Sequence, residues 1–364
     1  MSKNIKYNFL TTDEKERYQK HLTLKEIGYE GQLSLKNSSV LCIGAGGLGS
    51  SVLLYLAAAG IGKIGIVDND YVEKSNLQRQ IIHETNTIGS LKIDSAQERI
   101  KKFNPNSELL TFAERINPKN ALEIIQKFDI ICDCSDNFGT RYLINDACLI
   151  LNKPLVFGSV QGFEGQVSVF NLNKTSPNLR DLLPESPSKN TVPSCAEYGV
   201  VGVSTGLIGI IQVNEIIKII LKKGEVLDGK IMVFDLLNMN TKKLHLKSDQ
   251  VNKQINNLSK FMDYYIDDEC STQTGTINRI NACDFNSLYK IKPNKILLID
   301  VRENEEFSAS AIDGSISLPL SHLNQKPDLE FIQKESLIKE VFTICKTGKR
   351  SEKASRILSK FKIQ

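Results

Sequence analysis

Apolar residues in this chain follow two rhythms that alternate along it. Short continuous runs at Val40–Ile43, Ile64–Val67, Asp129–Cys134 and Leu155–Val160 read as buried strands. Between them Leu48–Ala59 reads as a helix. Ile93, Ala96, Ile100 and Phe103 then fall on one helical face, and Asn104 with Pro105 closes that segment. Strand, helix, strand, helix in this order predicts an α/β fold: a Rossmann-like, mainly parallel sheet with helices on both faces. Residues 247–270 are polar, with no clear period beyond a patch at Phe261–Ile266, and read as a linker. Ile296–Asp300, Val341–Cys345 and a helix from Ser351 onward repeat the pattern on a smaller scale. The expected organisation is therefore a domain over 1–246, a linker over 247–270 and a smaller α/β domain over 271–364.

Composition narrows the classes. The chain has 364 residues, 41% hydrophobic and 24% charged, enough to bury a core in an ordinary globular protein. A net charge of +4, without long like-charge blocks, argues for neither nucleic acid nor an anionic membrane as partner. The longest apolar stretch, Val200–Leu221, is interrupted by Gln212, Asn214, Glu215 and Lys218, and falls short of a clean membrane span. Met1–Thr12 carries no apolar signal core, so no secretion or transit signal is expected. Eight cysteines without CxxC pairs suggest reduced thiols rather than a disulfide framework. Arginine is scarce beside lysine, Asn and Ile are abundant and Trp is absent, a skew that AT-rich organelle or bacterial coding DNA would give.

The clearest chemistry lies at the end of the first strand. Gly44, Gly46, Gly47 and Gly49 form a loop that opens a helix. Glycines let the backbone approach phosphate oxygens, and the helix N-terminus adds unpaired N–H groups. Asp68 ends the next strand, where a carboxylate can bond a ribose hydroxyl. Alone, these features suit any nucleotide, including the NAD(P) of an oxidoreductase. Ser75, Asn76, Arg79, Lys92, Asp136 and Asn137 fall past the ends of successive strands, in the expected ligand crevice. Two cations, Arg79 and Lys92, facing the carboxylate of Asp136 suit a triphosphate with Mg²⁺ rather than a dinucleotide.

The stretch from Arg17 to about Leu246 resembles the ATP-dependent activators of ubiquitin-like sulfur carriers. These are the molybdopterin-synthase and thiamine-pathway adenylyltransferases, related to the catalytic halves of ubiquitin-activating enzymes. The matching text is Arg17 and Tyr18, Gly31 and Gln32, Gly44–Gly49, Tyr55–Gly60, Asp68–Asp70, Ser75–Gln80, Asp136–Phe138, Arg141 and Tyr142, Gly158 and Ser159, and Gly162–Gln166. The resemblance implies ATP with Mg²⁺ near Asp136, Asp70 among the nucleotide-binding residues, and a homodimer. It also implies attack of the carrier's C-terminal glycine carboxylate on the α-phosphate. Two departures stand out. Where the family places an Arg that reaches the partner subunit's triphosphate, this chain has Lys20, a point charge without the bidentate fork. Where many members hold structural zinc by two CxxC pairs, this chain reads Asn178–Asp181, and no second pair follows Leu246. No zinc is expected.

Two cysteines carry candidate chemistry. Cys195, in a Pro-flanked loop before a glycine-rich helix, resembles the family cysteine that can form an acyl-thioester or acyl-disulfide with the carrier. Cys345 is delivered by a strand to a short loop with Lys346, Lys349 and Arg350, and a helix follows, a setting that favours a thiolate or persulfide anion. With Leu297–Glu303, residues 271–364 resemble a rhodanese-type sulfurtransferase domain. A phosphate cradle and an inert remnant of the domain are the alternatives. The usual His before the Gly314 turn is replaced by Ser310–Asp313. The chain also stops at Gln364, soon after the active-loop helix, which makes C-terminal truncation of this domain the expectation. Cys42, Cys132, Cys134 and Cys148 read as core, and the four histidines show no shared metal spacing.

The reading that follows is adenylation of a ubiquitin-like sulfur carrier, with sulfur transfer through a Cys345 persulfide supplied by a donor such as a cysteine desulfurase, and Cys195 as relay. Molybdopterin, thiamine and tRNA thiolation are open as pathways. The fused rhodanese domain without zinc cysteines resembles cyanobacterial and plastid forms assigned to molybdopterin synthase, which favours the plastid stroma, otherwise a bacterial cytoplasm. An oxidoreductase and a non-catalytic carrier-binding scaffold are the rivals.

Overall fold

In β1 (Ser39–Ile43), Val40 and Cys42 enter one core while Leu41 and Ile43 enter another, because successive side chains leave opposite faces of a strand. The sheet is therefore covered on both sides, as the unbroken apolar runs require. The computed structural model describes residues 7–184, 199–253, 255–270, 280–323, 329–346, 348–361 and 363. It divides into two units, Met1–Tyr265 and Ile266–Gln364.

The first unit is built on an eight-stranded sheet of order β3-β2-β1-β4-β5-β6-β7-β8. β2 is Lys63–Val67, β3 Glu108–Phe112, β4 Ile130–Asp133 and β5 Leu155–Gln161, and these run parallel with β1. β6 (Glu164–Phe170), β7 (Lys230–Asp235) and β8 (Asn240–His245) continue antiparallel. On one face lie the helices Gly47–Ala59, Lys92–Phe103 and Gly202–Leu221. On the other lie Ala121–Ile125, Phe138–Leu151 and Leu258–Cys270. The Gly202–Leu221 helix is long and apolar enough to cross a membrane by length and composition. Here it packs on the Gly47–Ala59 helix and on β5 and β6, with Gln212 and Glu215 buried. Gln212 Nε2 donates to the Asp133 carbonyl at 2.9 Å, a bond that ties this helix to the end of β4.

Two expectations are corrected. Phe103 is 49% exposed although Ile93, Ala96 and Ile100 are buried, so the apolar face ends one turn early. The stretch expected as a linker carries a short 3₁₀ turn, Gln250–Lys253, and the Leu258–Cys270 helix. That helix buries Phe261 and Tyr265 against the Phe138–Leu151 side of the sheet, and Tyr265 Oη donates to the Asp146 carboxylate at 2.7 Å. Spacing of four residues puts the two rings on one helical face.

The second unit contains, among the described residues, a parallel sheet of order β10-β9-β11, with β9 at Ile296–Asp300, β10 at Ile316–Ser317 and β11 at Glu340–Ile344. Leu297 and Ile299 join a core with Ala354 and Leu358 of the Lys349–Lys360 helix, and Ile296 and Leu298 pack with Phe285 on the other face.

Candidate functional site

Strand order reverses at β1, whose neighbours are β2 on one side and β4 on the other. Loops leaving β1 and β4 diverge there and open the crevice in which doubly wound sheets take ligands. The glycine loop follows β1. Gly44 has φ +104°, and a Cβ on it would come within 2.7 Å of the Cys134 carbonyl. A Cβ on Gly49 would lie 2.0 Å from the Gly44 carbonyl oxygen. The turn can therefore only be made by glycines. Gly46 is the N-cap of the Gly47–Ala59 helix and supplies no capping side chain, so the helix begins with unpaired N–H groups.

Ala45, in the middle of this loop, is pinned from both sides. Its N–H donates to Asp68 Oδ2 at 2.8 Å, and the other carboxylate oxygen of Asp68 accepts the Asp70 N–H at 2.8 Å. The Ala45 carbonyl lies 3.0 Å from His83 Nε2, and since a carbonyl only accepts, Nε2 carries the proton. His83 Nδ1 is paired with the Ser95 hydroxyl at 2.9 Å. Burial, with Lys92 nearby, holds the His83 pKa below its ordinary value, so the ring is neutral. His83 therefore shapes the loop, a role that no sequence spacing flagged.

Past β4 a buried carboxylate organises the next loop. Asp133 is fully buried, and burial raises its pKa against the opposing pull of Arg141. Its Oδ1 accepts the Ser135 N–H at 2.9 Å and the Ser135 hydroxyl at 2.6 Å. Arg141 donates to the Ser135 carbonyl at 2.9 Å and the Gly158 carbonyl at 3.0 Å. Asn137 Oδ1 accepts the Thr140 N–H at 2.9 Å, capping the Phe138–Leu151 helix. Braced on each side, the loop leaves Asp136 exposed, and no described residue hydrogen-bonds its carboxylate.

Other expected ligand residues have protein partners. The Lys92 ammonium, 8% exposed, lies 2.9 Å from Asp70 Oδ2, and the Lys92 N–H also donates to the Asp70 carbonyl. Asn76 Oδ1 accepts the Glu73 N–H, Ser75 Oγ donates to the Glu73 carboxylate, and Arg79 donates to the Ser75 carbonyl at 3.1 Å. Lys20 is exposed on the Gln19–Leu22 helix, and no hydrogen bond joins it to these groups. The remaining matched motifs are anchors. Tyr18 Oη accepts from Asn104 Nδ2 at 2.9 Å, and Gln32 Nε2 donates to the Ala59 carbonyl at 2.9 Å, fixing the far end of the Gly47–Ala59 helix.

Asn178–Asp181 and Asp249–Asn252 form one polar staple. Asp181 accepts the Asn178 N–H and the Asp249 N–H, each at 2.8 Å, and Asn252 Nδ2 at 3.0 Å. Asn178 Nδ2 donates to the Asn252 carbonyl. Arg180 turns inward to Asp146, at 3.1 and 2.7 Å. Among the described residues no group of three or more His, Cys, Asp or Glu could hold a metal ion.

Among the cysteines, Cys42 and Cys134 (Sγ to Sγ 3.6 Å) and Cys132 and Cys134 (3.8 Å) touch beneath the glycine loop. Their pKa values are raised, for Cys42 by the hydrogen bond to Cys134 and by burial, for the other two chiefly by burial. They are inert core thiols at neutral pH. Cys195 lies outside the described residues. In the second unit the half-buried Cys345 Sγ accepts the Ser351 N–H at 3.3 Å, from the first turn of the Lys349–Lys360 helix. Arg350, expected to assist the sulfur, makes a bidentate pair with Glu306 at 2.5 and 2.8 Å and still interacts electrostatically with Cys345. That hydrogen-bonded pair lowers the Glu306 pKa to about 2. Arg302 bridges Asp300 and the Ser310 carbonyl, and the Tyr289 hydroxyl donates to the Asp313 carbonyl at 2.7 Å, bracing the turn that lacks the usual His.

Residues 18–255 match the ThiF family, and residues 286–364 match the rhodanese-like domain. A relative from Mycobacterium tuberculosis, named a probable adenylyltransferase/sulfurtransferase MoeZ, is 39% identical over 358 residues, covering 96% of this chain and 90% of its own. A probable molybdopterin-synthase adenylyltransferase from Porphyra purpurea is 40% identical over 357 residues, covering 96% and 89%. Among solved structures, Escherichia coli MccB with MccA-N7isoASN aligns with TM-score 0.59 at 21% identity, over 69% of this chain and 76% of that one. That last likeness is one of fold.

Proposed function

The chain belongs to the ThiF family and carries a rhodanese-like domain, and from that premise we propose that it adenylates the C-terminal glycine of a ubiquitin-like sulfur carrier and then supplies sulfur to it. The observation that carries the reading is Asp136: an exposed carboxylate without a described partner, on a braced loop at the switch point beside a glycine loop. Dinucleotide binding has no use for it, so the oxidoreductase alternative gives way to the family match.

In this reading the Gly44–Gly49 backbone and the uncapped helix N-terminus hold phosphate oxygens of ATP. Asp68, whose two oxygens each accept one N–H, has lone pairs left for a ribose hydroxyl. Arg79 adds positive charge, and Lys92 exchanges Asp70 for a phosphoryl oxygen. Asp136 would hold Mg²⁺, which when bound neutralises charge at the α-phosphate. The glycine carboxylate oxygen attacks the α-phosphorus and pyrophosphate leaves, giving a mixed anhydride. The terminal sulfur of a Cys345 persulfide attacks the acyl carbon and AMP leaves, giving an acyl disulfide. The Cys195 thiolate, as relay, then attacks the Cys345 sulfur, the thiocarboxylate leaves, and the Cys195–Cys345 disulfide so formed is reduced by an external dithiol reductant. The Ser351 N–H at the Cys345 sulfur and the helix start favour the anion this step needs.

The name of the red-algal relative, a probable molybdopterin-synthase adenylyltransferase, supports molybdopterin synthase as the system served, with its small subunit as the proposed carrier and a cysteine desulfurase as the proposed donor. The lysine-rich composition and the red-algal relative support the plastid stroma, and immunoblots of fractionated organelles test it. Val203, Leu207 and Ile210, at 75%, 36% and 37% exposure on one helix, support a homodimer. Sedimentation of a Leu207→Lys variant as monomer, with the wild type as dimer, is the expected outcome. ATP–pyrophosphate exchange that depends on carrier tests the main reading, and exchange absent with every candidate carrier overturns it.

A further inference from the structure

Gln80 is 4% exposed, and its Oε1 is fully buried with no hydrogen-bond partner among the described residues. Its Nε2 has no described hydrogen-bond partner either. It lies 3.7 Å from where a Cβ on Gly46 would sit, nearer to that point than any other described side chain outside the loop itself. A buried amide oxygen to which the described residues offer no donor is unfavourable, and an apolar side chain of the same shape would avoid that penalty. Its neighbours differ: Asn76 is bonded to Glu73, and His83 is bonded at both ring nitrogens. The orphan stands against the N-cap of a 13-residue helix that has no capping side chain. Unpaired N–H groups and an unpaired amide thus meet at one point, which is the arrangement of an anion site rather than of a core.

We propose that Gln80 is a binding residue for the phosphate chain of the nucleotide, its amide turning to donate from Nε2 to a phosphoryl oxygen at Gly46. No protein hydrogen bond has to break for that turn, so the contact is recruited at little expense. This inference rests on the nucleotide reading of the glycine loop and adds to it a residue that acts by contact, unlike His83, which acts by positioning Ala45.

The test uses the full-length protein with Gln80→Met, which keeps length and volume but removes the amide, and with Gln80→Glu, which puts a charge against phosphate. Melting is followed without ligand, and affinities for ATP, AMP and adenosine are measured by calorimetry or competition. The unliganded Gln80→Met protein should melt at or above the wild-type temperature, because an orphaned group has been removed. Its affinity for ATP and AMP should fall about tenfold, with adenosine unchanged, and Gln80→Glu should fall further. Wild-type ATP affinity in Gln80→Met overturns the proposal. So does a fall in melting temperature with equal loss for all three ligands, which would make Gln80 a structural residue. If the wild type itself binds no ATP, the nucleotide reading falls and takes this inference with it.

Discussion

Asp68 and Asp136 are both carboxylates at strand ends in one crevice, yet the structure gives them opposite relations to the fold. Asp136 is exposed and unbonded by described residues, so Asp136→Ala should leave stability within about 0.5 kcal/mol of wild type. If it anchors the metal that travels with ATP, exchange should drop by about 10²–10³-fold, the usual loss for one electrostatic group acting on a transition state. Asp68 accepts two backbone N–H groups at 2.8 Å. Asparagine has one acceptor oxygen, and its NH₂ would confront a second N–H donor. Losing one charge-assisted bond costs about 1.5–3 kcal/mol, and for a unit of this size that lowers Tm by on the order of 5 °C. Asp68→Asn should therefore lose both stability and exchange, because the Ala45 peptide it holds is part of the phosphate loop. Differential scanning fluorimetry and ATP–pyrophosphate exchange on the same preparations separate the two. An Asp136→Ala protein that keeps near-wild-type exchange refutes the site assignment. An Asp68→Asn protein that melts like wild type refutes the account of how the loop is held.

Two further outcomes follow from buried polar groups. His83 is neutral when folded because burial depresses its pKa below 6.5, whereas the unfolded chain takes up a proton near that value. Its contribution is full above about pH 6.5 and is lost as pH falls below it. Urea unfolding between about pH 7.5 and 5 should thus show a smaller pH dependence for His83→Gln than for wild type, and equal slopes would contradict the assignment. Asp181 accepts three hydrogen bonds across the Asn178–Asn252 staple, so Asp181→Ala should destabilise by about 2–3 kcal/mol. A strong chelator should leave the melting temperature of the wild type unchanged, and one zinc per chain surviving dialysis would contradict the expectation of no structural zinc.

How much was legible depended on whether a residue's role lies in local spacing. The β1–glycine loop–helix unit could be read because an apolar run, four glycines and a second apolar run are contiguous, and the strand ends carrying Asp68 and Asp136 follow from the same pattern. β8 was illegible because all six of its residues are exposed, so an edge strand of this kind has no inward face to set a rhythm. The Leu258–Cys270 helix carried its signal in Phe261 and Tyr265, diluted by the acidic residues around them. The pairing of Lys92 with Asp70 was not legible because it depends on a backbone bond between positions that the loop after β2 brings together. Asp133 and His83 were missed for a related reason. Each acts on its own loop from inside the protein, and buried polar residues of that kind have no fixed spacing to the residues they position. Arg350 could be read toward the sulfur, on which its charge does act, but Glu306, which holds it, was not legible because it comes 44 residues earlier.

The central claim is a division of labour between two chemistries in one chain, and intact-mass spectrometry of the carrier tests it most directly. Carrier incubated with ATP, Mg²⁺, a persulfide donor and wild-type protein should gain one sulfur in place of one oxygen at its C-terminus. With Cys345→Ala the carrier should be found adenylated or unchanged but never sulfurated, while pyrophosphate exchange continues at the wild-type rate. With Asp136→Ala neither product should form. Thiocarboxylate made at wild-type rate by the Cys345→Ala protein, or exchange lost with it, would contradict the account.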